Sequence, residues 1–263
     1  DRRGPVPAAF PKGTSPFYVM KYEITQGQYA AFLNTLGDEA SHFRAIHGGR
    51  DYAKFRGSIT LGADGLYVAA SPSRPANRVS WDDGCAFADW AGLRPMTDLE
   101  YTKAARGPER PLARAFPWGT ASRARVLRVV RPDDELVTTG DADEKLLNDE
   151  TREVFAASHY WVMDLAGSVW EKVVTLGHPV GRAFRATHGD GRLTSYGYAT
   201  NEDWPKGDEG RGGYGYLGGG HYEHGKPEGE FNPHSPVSFR RYGSWGDAPR
   251  SLAYGFRAVR SAP

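Results

Sequence analysis

The stretch NRVSWDDGCAFADWAGLRPMTDLEYTKAARG, residues 77–107, constrains the fold more than any other part of the chain. Ser80 stands just before an apolar run at helical spacing, where its side chain can cap the first turn. Asp83 then falls at the positive end of the helix dipole. Gly92 stops that helix. Thr97 and Glu100 have the spacing of a capping box, and Gly107 ends a second helix. The expected organising unit is two helices joined by a short proline-containing turn. Cys85 falls on the first helix, one turn after Trp81, and reads as a small buried hydrophobe rather than a reactive thiol.

The remaining elements are shorter. Residues 1–16 hold four prolines and two glycines and read as an extended arm. FYVMKYEI (17–24) is aromatic and β-branched, as strands are. Thr25 and Gln28 form another capping box, followed by Tyr29, Phe32, Leu33 and Leu36 at helical spacing, with Gly37 as the stop. Residues 38–77 read mostly as loop, with a small hairpin in 59–68 turning at Asp64-Gly65. Residues 108–160 are charged and poorly periodic, and 131–150 reads as an exposed excursion. Residues 185–236 are dominated by Gly, His, Tyr and Asp. GFRAVRSAP (255–263) alternates like a final strand. No repeat or long linker divides the chain, so 17–263 is expected to be one domain behind the arm.

Composition excludes several functions. With 33 basic and 32 acidic residues the net charge is +1, which favours neither nucleic acid nor an anionic membrane as partner. No apolar run approaches the roughly 20 residues that cross a bilayer. The 33 glycines, 18 prolines and seven tryptophans suit a fold rich in turns, with aromatics filling the core. A single cysteine precludes an intrachain disulfide. The chain begins at Asp1 rather than Met, so a removed export signal and an extracytoplasmic (periplasmic or secreted) location are expected, against the alternative of a trimmed sequence.

The segment DLAGSVWEK (164–172) places Asp164 and Glu171 among small and apolar residues. Either the acids cap turns and pair with Arg or Lys, or they hold a cation.

Six pieces, in order, resemble the motifs of the formylglycine-generating enzyme (sulfatase-modifying factor) family. They are YEITQGQYAAFLN (22–34), residues 74–107, FPWG (116–119), YWVMDLAGSVWEK (160–172), RYGSW (241–245) and GFRAVR (255–260). The resemblance covers the chain nearly end to end. It implies an α+β, C-type-lectin-like fold with little regular secondary structure, two main helices flanking small antiparallel sheets. It also implies that 164–171 wraps a structural calcium ion. The ligands carried over are the Asp164 side chain, the Gly167 and Val169 carbonyls and the Glu171 carboxylate. Calcium suits such a set, because it takes several oxygens and accepts carbonyls. Ser168 departs from the Asn that the family often has there. A second family calcium site would fall in 120–150. Asp141 and Asp143 are the candidates there, and a solvated acidic loop is the favoured reading of that stretch.

The family's enzymes oxidise a substrate cysteine with copper held by two thiolates just after the GGSW-like segment. Here that segment, RYGSWGDAPRSLAYGFR (241–257), holds no cysteine, and only nine residues separate Trp245 from Gly255. One thiol elsewhere cannot form a two-thiolate site, so no copper is expected. Ergothioneine-type sulfoxide synthases carry an H-x-x-x-H-x-E helix that is absent from this sequence. Oxidases of pyoverdine maturation lack the thiol pair, which keeps an oxidoreductase of that kind as the alternative.

The favoured expectation is a non-catalytic, calcium-stabilised binding or structural module. A protein or glycan partner would sit on the 185–245 loops. Candidate surface residues are His188, Tyr214, Tyr216, His221, Tyr222, His224 and Trp245, because rigid aromatics on adaptable loops suit recognition. The competing reading makes those aromatics core fillers. His221 and His224, three apart, are also candidate ligands of a transition metal.

Overall fold

Capping boxes set where three of the helices begin. In the computed structural model, which describes residues 4–48, 52–53, 56–122, 129–130, 136–137, 146–207, 212–219, 235–246 and 250–263, the chain opens with strand β1 (Phe17–Val19). Helix α1 (Gln26–Leu33) follows, its first turn closed by Thr25 and Gln28. Next come α2 (Asp38–Arg44) and the hairpin of β2 (Ile59–Leu61) and β3 (Tyr67–Ala69). Helix α3 (Trp81–Trp90) starts at Ser80, whose hydroxyl accepts from the Asp83 amide while the Asp83 carboxylate accepts from the Ser80 amide. Strand β4 (Arg94–Pro95) leads into α4 (Asp98–Arg106), boxed by Thr97 and Glu100. The short pair β5 (Val129–Val130) and β6 (Leu136–Val137) precedes β7 (Glu171–Val174), α5 (Pro179–Arg182), β8 (Tyr214–Leu217) and β9 (Ala258–Ser261).

The central sheet ties the two ends of the domain to its middle. Its order is β1-β9-β4, antiparallel throughout, with Phe17 opposite Ser261 and Arg94 opposite Val259. A second sheet pairs β7 with β8, Glu171 opposite Leu217. This is the expected α+β arrangement of short helices and small antiparallel sheets.

Four local expectations change. Sheet pairing of the 17–24 segment covers only β1, and the amides of Met20 and Ile24 bond instead to the carbonyls of Ala258 and Phe256. Helix α1 ends at Leu33 with Asn34 as its cap, so Gly37 does not stop it. Gly37 instead precedes α2, in a stretch read as loop. Asp38 and Glu39 in its first turn and His42 and Arg44 in its last complement the helix dipole. The proline-containing turn between α3 and α4 is a strand, β4. The expected hairpin is present: Gly65 takes a left-handed conformation at φ +80°, and the Asp64 carboxylate accepts from the Leu66 amide. The arm at 4–16 has no regular element, yet Phe10 is buried in the core.

Aromatic stacking fixes the core. Trp81 lies flat on Tyr214, ring centroids 4.3 Å apart, and tilts against Phe256 at 5.7 Å. Gly84 lets α3 approach that close, because a Cβ there would fall 2.0 Å from the Phe256 ring. The Arg94 guanidinium grips both oxygens of Glu100 at 2.6 and 2.8 Å, both side chains buried, so the residue that boxes α4 also neutralises a core arginine.

Two measurements check this packing. Ala is the better helix former by about 1 kcal/mol, yet Gly84→Ala lowers stability by about 1–3 kcal/mol in denaturant melts, because the buried ring cannot move aside. Asp98 opens α4 with one carboxylate oxygen unpartnered, and burial lifts its pKa from 3.8 to about 6. The folded chain therefore holds a proton that the unfolded chain releases. Its contribution to stability is intact below pH 3.8 and is lost as pH rises to about 6. Asp98→Asn flattens that decline and leaves the protein about 1–2 kcal/mol more stable at pH 7, the side chain's partial exposure trimming the full effect.

Candidate metal centre

The 164–171 segment bends through three left-handed residues: Asp164 at φ +58°, Gly167 at +93° and Ser168 at +58°. Only glycine adopts that region freely, so Asp164 and Ser168 are held there by their surroundings. The Gly167 amide donates to the Gly218 carbonyl at 3.0 Å, and the Trp170 amide to Ala253 at 2.7 Å. The Tyr101 hydroxyl donates to the Leu165 carbonyl at 2.5 Å, and Arg56 to that of Ser168 at 3.2 Å. Helix α4, the residue after strand β8 and the segments before β2 and β9 thus shape one tight loop.

Three carboxylates gather against it. Asp164 and Glu171 come from the loop and β7, and Glu23 comes from the segment after β1. All three are buried. Arg257 donates from Nε to Glu171 Oε1 at 2.7 Å. Its other nitrogens donate to the Met20 and Met163 carbonyls, each at 2.7 Å. Glu23 Oε1 accepts from the Val169 amide at 3.4 Å. Glu23 Oε2 and Glu171 Oε2 are buried without a hydrogen-bond partner. Burial first, and the neighbouring Asp164 charge second, lift the Glu23 pKa well above the ordinary carboxylate range. Glu171 is raised in the same direction by burial, against the pull of Arg257.

Unpartnered buried carboxylate oxygens are costly, and Glu23 Oε2 and Glu171 Oε2 are two of them. A divalent cation is a chemically fitting counter-charge, and the expected set of Asp164, Gly167, Val169 and Glu171 lies in this loop. Glu23, Asp164 and Glu171 are electrostatic neighbours, but among the described residues no three His, Cys, Asp or Glu side chains close to the geometry of a metal-ligand set. A cation here would therefore depend on the two carboxylates and on backbone carbonyls, a donor set that suits calcium rather than a transition metal.

The expected recognition surface divides. Tyr214 and Tyr216 are core residues, which corrects their assignment to a ligand-binding face: Tyr214 stacks under Trp81, and Tyr216 stacks on Tyr254 at 4.5 Å. Trp245 is 54% exposed, edge-on to Tyr242. His188 is partly buried, and its Nε2 accepts from the Ser261 amide at 3.0 Å. Burial holds its pKa below the ordinary value, in keeping with that acceptor role. His221, Tyr222, His224, Asp141 and Asp143 lie outside the described residues. Cys85 is buried on α3, as expected.

Sequence reading missed Glu23 and Arg257, whose partners lie far away along the chain. It also missed Asp89, which organises the 185–201 loop by accepting from the amides of Asp190, Gly191 and Thr200. The only available signal was the motif GFR itself, whose arginine sits in an otherwise apolar strand pattern.

Removing the Arg257 guanidinium from Glu171 should be severe. Arg257→Met lowers stability by about 3–5 kcal/mol in a denaturant melt, because it strands buried carboxylates. Arg257→Lys recovers only part of the loss, since an ammonium cannot reproduce the three-way fork.

The profile of the sulfatase-modifying factor enzyme 1-like domain matches residues 6–262. The chain is 26% identical over 186 residues to a formylglycine-generating enzyme of Thermomonospora curvata, an alignment covering 60% of this chain and 59% of the relative. It is 23% identical over 179 residues to a formylglycine-generating enzyme of Bos taurus, covering 59% and 47%. With a Mus musculus protein named inactive C-alpha-formylglycine-generating enzyme 2 it shares 28% identity over 118 residues, covering 44% and 36%. The chain thus spans about a third to three-fifths of the length of these curated relatives. On the match to residues 6–262, the chain belongs to the sulfatase-modifying factor enzyme 1-like (FGE-sulfatase) domain family.

Proposed function

We propose that this domain is a non-catalytic binding or structural module, braced by calcium, that presents its 185–245 loops to a protein or glycan partner in an extracytoplasmic assembly. The observation that carries the reading is the cysteine count. The chain has one thiol, Cys85, buried on α3, and the 241–257 segment has none. Two-thiolate copper chemistry has no residues to use within this chain. A relative named inactive within the same family shows that the scaffold also occurs in proteins so described. Among the described residues no helix is long and apolar enough to cross a membrane.

Calcium would be held by Asp164, Glu171 and the Gly167 and Val169 carbonyls. Its role would be charge compensation: a divalent ion beside Glu171 Oε2 gives that unpartnered oxygen a counter-charge. That compensation ties β7 to the tight loop and keeps the neighbouring loops in place.

Two experiments test the reading together. A chelator lowers the melting temperature of the parent chain. Glu171→Ala costs about a few kcal/mol and no longer responds to chelator. A parent that ignores chelator ends the calcium reading. Incubation with copper and a cysteine-containing sulfatase peptide yields no aldehyde by mass spectrometry, and aldehyde formation would overturn the non-catalytic reading.

A further inference from the structure

A cavity of about 940 Å³ lies away from the carboxylate cluster. It opens between the last turn of α2, the first turns of α3, the loop at 194–207 and Arg250. That volume suits a small organic molecule. Its apolar walls are aromatic: Phe43 and Tyr198 lie 5.7 Å apart by ring centroid, and Trp204 is buried beside them.

The charges on its walls are unbalanced. Three fixed cations, Arg44, Arg250 and Lys206, line the cavity, with Asp82 as the lining carboxylate and Asp83 behind. Asp83 is shared by two guanidiniums. Arg250 holds it with Nε at 2.7 Å and an Nη at 2.8 Å, while Arg44 reaches it at 3.1 Å. Arg250 is completed by the carbonyls of Ala45 and Phe43. Arg44 is not completed: it is 2% exposed, and its Nε has no hydrogen-bond partner. Its guanidinium instead stacks over the rings of Tyr198 and Phe43, at 4.3 and 4.9 Å. A buried arginine that shares its carboxylate and keeps Nε unbonded has room for a further charge-assisted hydrogen bond.

We propose that this cavity binds a small organic anion, an oxyanion head group carried on a flat apolar body. The head group meets Arg44 and Lys206, and the body lies against Tyr198 and Trp204. This rests on the binding reading above, to which it adds a location and a ligand class. Cys85 lines the cavity floor but takes no part.

The test uses the folded full chain and two fluorescent probes that share one body. 8-Anilinonaphthalene-1-sulfonate carries an oxyanion, and N-phenyl-1-naphthylamine does not. The anionic probe binds at one site, and the neutral probe binds roughly tenfold more weakly or worse, as expected for loss of a charge-assisted contact. Arg44→Gln, Lys206→Gln and Tyr198→Ala each weaken the anionic probe, whereas Arg192→Gln, the same charge change on a side chain outside the cavity, leaves it unchanged. Lys206 and Tyr198 are not buried in the core, so their variants decide the matter if Arg44→Gln fails to fold. Equal affinity for the two probes, no binding by the parent, or indifference to Lys206→Gln and Tyr198→Ala would each overturn the proposal. Those results would leave the binding module to act through other loops. Conversely, aldehyde formation on a cysteine peptide would end the binding reading without touching the cavity result.

Discussion

One buried ion pair holds this domain together. Arg257 sits beside β9 and reaches Glu171 on β7, the Met20 carbonyl after β1 and the Met163 carbonyl before the tight loop. Each bond is 2.7 Å long, and each joins a different segment. Short helices and two- to four-residue strands cannot supply much cooperative ladder energy. A rigid guanidinium fork that ties distant strands compensates for that. The same clamp creates the domain's electrostatic problem, because Asp164 and Glu23 crowd the carboxylate it serves. A second buried carboxylate, Asp83, is shared by Arg44 and Arg250.

Local chemistry was legible in the sequence. Thr25, Ser80 and Thr97 were identifiable as caps because a capping box acts within four residues, and the Asp64-Gly65 hairpin turns on equally local geometry. Helix α2 was missed although its acids and bases were on view, because short exposed helices lack an apolar stripe to announce them. The ends of β1 and β4 were set by pairing with β9, which lies far away along the chain, and no window of sequence reports that.

The site was half legible. Asp164 and Glu171 stood out because acids in an apolar run demand an explanation. Glu23 looked like an ordinary strand residue, and only the fold brings it to them. The aromatic-rich loops show the limit most clearly. Tyr214 and Tyr216 share their composition and glycine neighbours with surface aromatics, yet β8 pairs with β7 and turns both inward. Trp245, from a similar setting, faces solvent. Which aromatic fills the core is decided by sheet pairing rather than by residue type.

The proposed calcium ion in the 164–171 loop is the part of this reading most open to direct measurement. Elemental analysis of the purified native chain tests it most directly. The account predicts close to one calcium ion per chain and no stoichiometric copper or iron. Protein that carries copper or iron in stoichiometric amount, or that holds no calcium when prepared in calcium-containing buffer, would contradict it.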